Sequence, residues 1–79
     1  MEDIQMLIEK VKADLQDGNS DEEIFQSILH LFGRDPETDS QVVELLADIP
    51  HVKIANLLRR MLEVSKERKV RKIIKRSLY

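Results

Sequence analysis

The sequence predicts an all-α fold of five short helices, and three observations lead there. Apolar residues recur every three or four positions almost throughout, as on a helix that buries one face. Strict alternation, the signature of a half-buried strand, is absent. Only two Gly and two Pro interrupt the 79 residues. With 42% apolar and 35% charged residues, the chain has the composition of an ordinary helical domain rather than a disordered one. Its length suits a single domain close to the lower limit for a core without staples. It has no cysteine, so neither a disulfide framework nor a thiolate metal site is available. That absence suits the cytoplasm, the expected location.

The first helix is expected from Asp3 to Asp17. Ile4, Leu7, Ile8, Val11 and Leu15 share its apolar face, and Glu9, Lys10 and Ala13 lie away from it. Gly18 can close it in the left-handed conformation that a side chain disfavours. Ser20 with Glu23 forms a capping box for a second helix reaching about Phe32, which Gly33 ends. The apolar residues Ile24, Phe25, Ile28, Leu29, Leu31 and Phe32 wrap more than half of that helix, so it is expected to be the central element.

Residues 1–33 are thus expected to form an acidic helical hairpin, and residues 34–38 a linker, because Pro36 interrupts helix and biases Asp35 to extended geometry. Thr38 with Gln41, or alternatively Asp39, then caps a third helix bearing Val42, Val43, Leu45, Leu46 and Ile49. Pro50 is expected in the first turn of a fourth helix with Ile54, Leu57, Leu58, Met61 and Leu62 inward. Its Asn56, Arg59, Arg60 and Glu63 point out. A polar break at 65–68 leads to a fifth helix with Val70, Ile73, Ile74, Ser77 and Leu78 inward. That helix is still running at Tyr79, so the chain is expected to have been cut there or to continue in a longer protein.

Charge is sharply divided along the chain. Residues 1–48 hold thirteen acids and three bases, whereas residues 49–79 hold ten bases and two acids, so a net charge of −2 conceals a polarised molecule. Residues 65–79 alone carry seven of the thirteen Lys and Arg.

The segment LLRRMLEVSKERKVRKIIKRSL, residues 57–78, resembles one HEAT-type (armadillo-like) repeat, two antiparallel helices joined by a short polar turn. Val70-Arg71, Ile74, Ser77 and Leu78 match the register of that family's second helix, and Leu57-Leu58 with Met61-Leu62 resemble the paired aliphatics of its first. Two positions depart from the pattern: Glu67 stands only loosely for the acidic turn residue, and Ile74 is larger than usual. The resemblance implies that residues 39–79 stack as HEAT-like helices in a right-handed α-superhelix. It also implies that Arg71 is a structural pairing residue between repeats rather than a ligand contact. The alternative is a compact helical bundle without repeat symmetry.

Candidate partner-binding residues are Arg68, Lys69, Lys72, Lys75 and Arg76, which lie opposite the apolar side of the fifth helix. Arg59 and Arg60 extend them from the fourth. Such a stripe attracts an acidic protein surface or phosphates. It also suits a plain solvated face, or one paired with the acidic half of the same chain or of another copy. The single interleaved aromatic, the acidic pI of about 5.6 and the lack of a helix-turn-helix signature argue against nucleic acid. Membrane is disfavoured because the apolar side of the helix is needed for the core, and no apolar run exceeds three residues. The N-terminus has no apolar block of the secretory kind.

Other motifs have bland explanations. Asp21-Glu22-Glu23 complements the positive end of a helix. The run from Asp35 to Ser40 superficially resembles the start of a calcium loop, but it lacks the sixth-position Gly, and Leu46 stands where Glu is required. His30 and His51 have no ligand-spaced companion, and no nucleophilic triad or Gly-rich phosphate loop is visible. Met6 is a lone apolar residue opposite the first helix's stripe. The expectation is therefore a non-catalytic protein-interaction or scaffolding module with no cofactor. Its partner would be another protein, further repeats of the same chain or a second copy. A nucleic-acid or polyanion binder acting through the fifth helix is the alternative, and a purely structural bundle the third reading.

Overall fold

The computed structural model describes residues 4–79, and those residues form five α-helices and no strand. They are α1 (Ile4–Gln16), α2 (Asp21–Leu29), α3 (Pro36–Ala47), α4 (Lys53–Val64) and α5 (Arg68–Leu78). The expected start of the first helix at Asp3 lies outside the described residues. Gly18 adopts φ +77°. Its N–H donates to the Leu15 carbonyl at 3.3 Å, and the Asn19 N–H reaches back to the Asp14 carbonyl at 3.0 Å, so a Schellman motif ends α1. The Ser20–Glu23 capping box opens α2.

Three boundaries differ from expectation. The second helix ends at Leu29 rather than Phe32. Tight turns carry Leu31 and Phe32 onward to Gly33 at φ +93°, so both side chains are buried without being helical. The third helix begins within the expected linker 34–38. Pro36 takes its first turn, and Asp35, extended as a residue before proline must be, accepts the Thr38 N–H at 3.0 Å. Asp35 is therefore the cap, not Thr38 or Asp39. The fourth helix begins at Lys53, leaving Pro50 outside, and His51 Nδ1 accepts the Lys53 N–H at 3.1 Å in place of a side-chain cap from Val52.

Contacts near the helix ends fix the helix directions. The start of α3 lies beside the α4–α5 turn, around Pro36 and Ser65–Glu67. Its end lies beside the end of α5, around Ala47 and Ser77–Leu78. So α3 and α5 run parallel, with α4 antiparallel between them. The C-terminal half of α1 lies beside Ile49–His51, just past α3, which makes α1 parallel to α3. Lys53 pairs with Asp21, and Arg60 with Glu22 and Phe25, so α2 and α4 start together and run the same way. Helices α1, α3 and α5 thus pack in one row, α2 and α4 in another. The shortest dimension, 19 Å, suits two helix layers. The radius of gyration is 11.3 Å, against about 11.6 Å for a globule of this length.

The core runs through every helix. Val11, Ile24, Ile28, Val42, Val43, Leu46, Leu57, Met61, Val70 and Ile74 are fully buried. Helices α3 and α4 each pack on three others, whereas α2 packs on α1 and α4. The expected central role of α2 therefore passes to α3 and α4. The apolar surface of α2 is broad because it includes Leu31 and Phe32, which belong to the following turn. Ser77 is exposed, and its hydroxyl donates to the Ile73 carbonyl at 3.0 Å. No helix among the described residues is long and apolar enough to cross a membrane.

Leu46→Ala, at the buried centre of α3, is expected to cost about 3 kcal/mol in urea unfolding followed by helical circular dichroism. Met6→Ala, at a position 69% exposed, should stay within about 0.5 kcal/mol by the same measurement.

Candidate protein-docking face on α5

The apolar side of α5 is fixed by Val70 and Ile74, both fully buried, with Ile73 and Leu78 half-buried beside them. That placement turns Arg68, Lys69, Lys72, Lys75 and Arg76 to solvent, and all five are exposed. Among the described residues none of the five has a side-chain hydrogen bond or ion pair, so no described acid pairs with them.

The helix itself contains no acid. Lys75 and Arg76 lie in its last turn, where cations favour the helix dipole, but Arg68 and Lys69 open it, where they oppose the dipole. Glu67 occupies the cap position with no side-chain hydrogen bond to relieve that end. An external carboxylate would.

Arg71 lies on the same helix but does different work. Its guanidinium donates to the Leu62 carbonyl at 2.7 Å and to the Ser65 carbonyl at 3.2 Å, closing the last turn of α4. Arg60 is also committed elsewhere. It pairs with Glu22 at 2.5 Å and lies 4.2 Å over the Phe25 ring, tying α4 to α2. Arg59 donates to Asn56 at 3.2 Å and stays exposed. The structure therefore brings the five α5 cations onto one exposed face and leaves Arg60 out of it.

Beside the start of α5, a shallow cleft of about 300 Å³ is lined by residues including Asp35, Asp39, Ser65 and Glu67. Asp39 is buried, and its carboxylate accepts the Gly33 N–H at 3.0 Å. Burial pushes its pKa up, and the charges of Asp35 and Glu67 push the same way against the hydrogen bonds from Gly33 and Arg34. Sequence reasoning placed Asp39 at a cap and missed its burial. The only signal was its position one turn into the helix, on the side of Val42, Val43 and Leu46. Glu22 shifts oppositely, held low by its hydrogen bonds to Arg60 and Gln26. No group of acids and histidines among the described residues could hold a metal ion. Comparison with known protein families, characterised proteins and solved structures finds no match.

Two measurements separate these roles. Arg71→Ala should destabilise the fold by about 1–3 kcal/mol in urea, since it strips bonds from partly buried carbonyls, while Lys72→Ala should stay within about 0.5 kcal/mol. The pH test concerns Asp39. Its raised pKa means that its stabilising contribution is present below the unfolded-state pKa and lost as pH rises through the folded-state value. Asp39→Asn, which keeps an acceptor for Gly33, should therefore gain stability relative to the parent as pH rises from roughly 3 to 6 in thermal melts.

Proposed function

We propose that the chain is a non-catalytic protein-interaction or scaffolding module that docks an acidic protein surface on α5. One observation carries this reading. Seven of the thirteen Lys and Arg have no side-chain hydrogen bond or ion pair among the described residues, and six of those seven fall between Lys66 and Arg76. Six of the other seven bases have side-chain partners in the same chain, so the clustered remainder is free to meet a partner. Electrostatic complementarity of this kind sets orientation and encounter rate more than affinity.

The helix arrangement supports a HEAT-like architecture for that module. Alternate helices stack in two rows, as they do where repeats share a continuous core. In that reading α4 and α5 form one repeat of a right-handed superhelix, and the bonds of Arg71 to the end of α4 join the two helices of that repeat rather than one repeat to the next. The basic face of α5 is then the outer edge of the row, open to a protein or to further repeats.

The test is a titration with a short polyglutamate peptide followed by amide NMR. Shifts should concentrate in α5, weaken steeply with salt, and vanish in Lys72→Glu with Lys75→Glu. Duplex DNA at the same low salt should leave those amides unmoved. Shifts induced by DNA and not by the peptide would replace the protein reading with the polyanion one.

A further inference from the structure

The row that holds α5 contains its electrostatic opposite. Helix α3 has no Lys or Arg, and α5 has no Asp or Glu. On α3 the exposed positions are Glu37, Gln41, Glu44, Ala47 and Asp48, a narrow strip that carries three acids. None of these three has a side-chain ion pair or hydrogen bond among the described residues. On α5 the outward positions Arg68, Lys72, Lys75 and Tyr79 recur at the same helical intervals, with Lys69 and Arg76 alongside.

The two helices pack side by side, parallel and level. Pro36 sits by the turn before Arg68, and Ala47 by Ser77 and Leu78. Glu37 therefore stands level with Arg68 and Lys69, and Glu44 with Lys75 and Arg76. Yet no acid of α3 lies within ion-pair distance of a cation of α5, because the α3 strip points outward from the row instead of sideways. The molecule thus presents two unpaired ridges of opposite sign and equal pitch.

We propose that a second copy of this chain docks here, the α3 acids of each copy against the α5 cations of the other. This proposal rests on the reading of α5 as a protein-docking face and names its partner. A two-fold axis running along the helices, midway between α3 and α5, lays each acidic ridge over the other copy's basic ridge with directions and levels matched. Such an isologous contact uses one patch on both copies and closes as a dimer. Glu37 of one copy then reaches the start of α5 in the other, where Arg68 and Lys69 oppose the helix dipole. A net charge of −2 leaves little overall repulsion between copies. The contact is mostly charged and small, so it is weak, with a dissociation constant on the order of 100 μM, and sensitive to salt.

Sedimentation velocity tests it with two variants. One reverses the basic ridge (Arg68→Glu, Lys72→Glu, Lys75→Glu) and the other the acidic ridge (Glu37→Lys, Glu44→Lys). The parent should approach dimer mass with rising concentration at roughly 20 mM salt and revert to monomer at roughly 500 mM. Each variant alone should be monomeric, its association weakened at least about tenfold. An equimolar mixture of the two should dimerise, since every pairing is complementary again. Circular dichroism checks that both variants fold, and all substituted positions are exposed. A parent that stays monomeric at low salt overturns the proposal, as does a mixture of folded variants that fails to associate. If the monomeric parent still binds polyglutamate on α5, only self-pairing falls. If it binds neither, the docking reading falls with it.

Discussion

A helix packed on three sides has one strip left for water, and α3 is that helix. It is covered by α1 along one edge, α5 along the other and α4 beneath. Val42, Val43 and Leu46 are fully buried, and even Asp39 and Ser40 are turned inward. Burial of this kind supplies the main favourable term in folding a chain so short. It also dictates where charge can go. On α3 and its cap Asp48, the exposed positions are Glu37, Gln41, Glu44, Ala47 and Asp48, so the exposed acids form a line. Helix α5, at the end of the same row, is covered by α3 and α4 alone among the described helices. Its cations spread across a broad arc while Val70 and Ile74 hold the helix down.

Much of this was legible in the chain, because local chemistry acts within a few residues. Gly18 and the Ser20–Glu23 pair announce their helix ends through backbone conformation and caps that need no tertiary contact. The spacing of Leu7, Ile8, Val11 and Leu15 marks the buried side of α1 for the same reason. The start of α3 was less decidable. Asp35, Thr38 and Asp39 can all cap a helix, and the choice falls to Asp35 because Pro36 holds it extended and needs no N–H partner of its own. Choosing Thr38 delays the helix by a turn and leaves Asp39 outside the core.

What the pattern could not give was tertiary. Leu31 and Phe32 follow the period of α2, yet they belong to the turn after it. Their burial depends on how that turn lies against the core, so α2 looked more enclosed than it is. Arg59 and Arg60 are neighbours in sequence and equal by composition. Only the placement of Glu22 and the Phe25 ring assigns Arg60 to the α2–α4 contact and leaves Arg59 exposed. The same holds for Arg71, a base among bases, whose position over the open carbonyls of α4 makes it structural.

The two rows handle one charge pattern in opposite ways. In the row of α2 and α4, acids on the earlier helix meet bases on the later one. Asp21 pairs with Lys53 and Glu22 with Arg60, because these residues flank the contact between the helices and reach sideways across it. Lys53 also donates to the Asn19 carbonyl at 2.8 Å, tying the entry of α2 to the start of α4. In the row of α3 and α5 the order is the same, acids first and bases second, but the acids stand on the strip facing away from the neighbour. The pairing completed inside one row is left undone in the other. The strip on which the acids stand, not helix direction or composition, makes the difference, since both rows are built from parallel neighbours with complementary charge. The division of charge seen along the chain is thus bridged by the fold between α2 and α4 and left unpaired between α3 and α5.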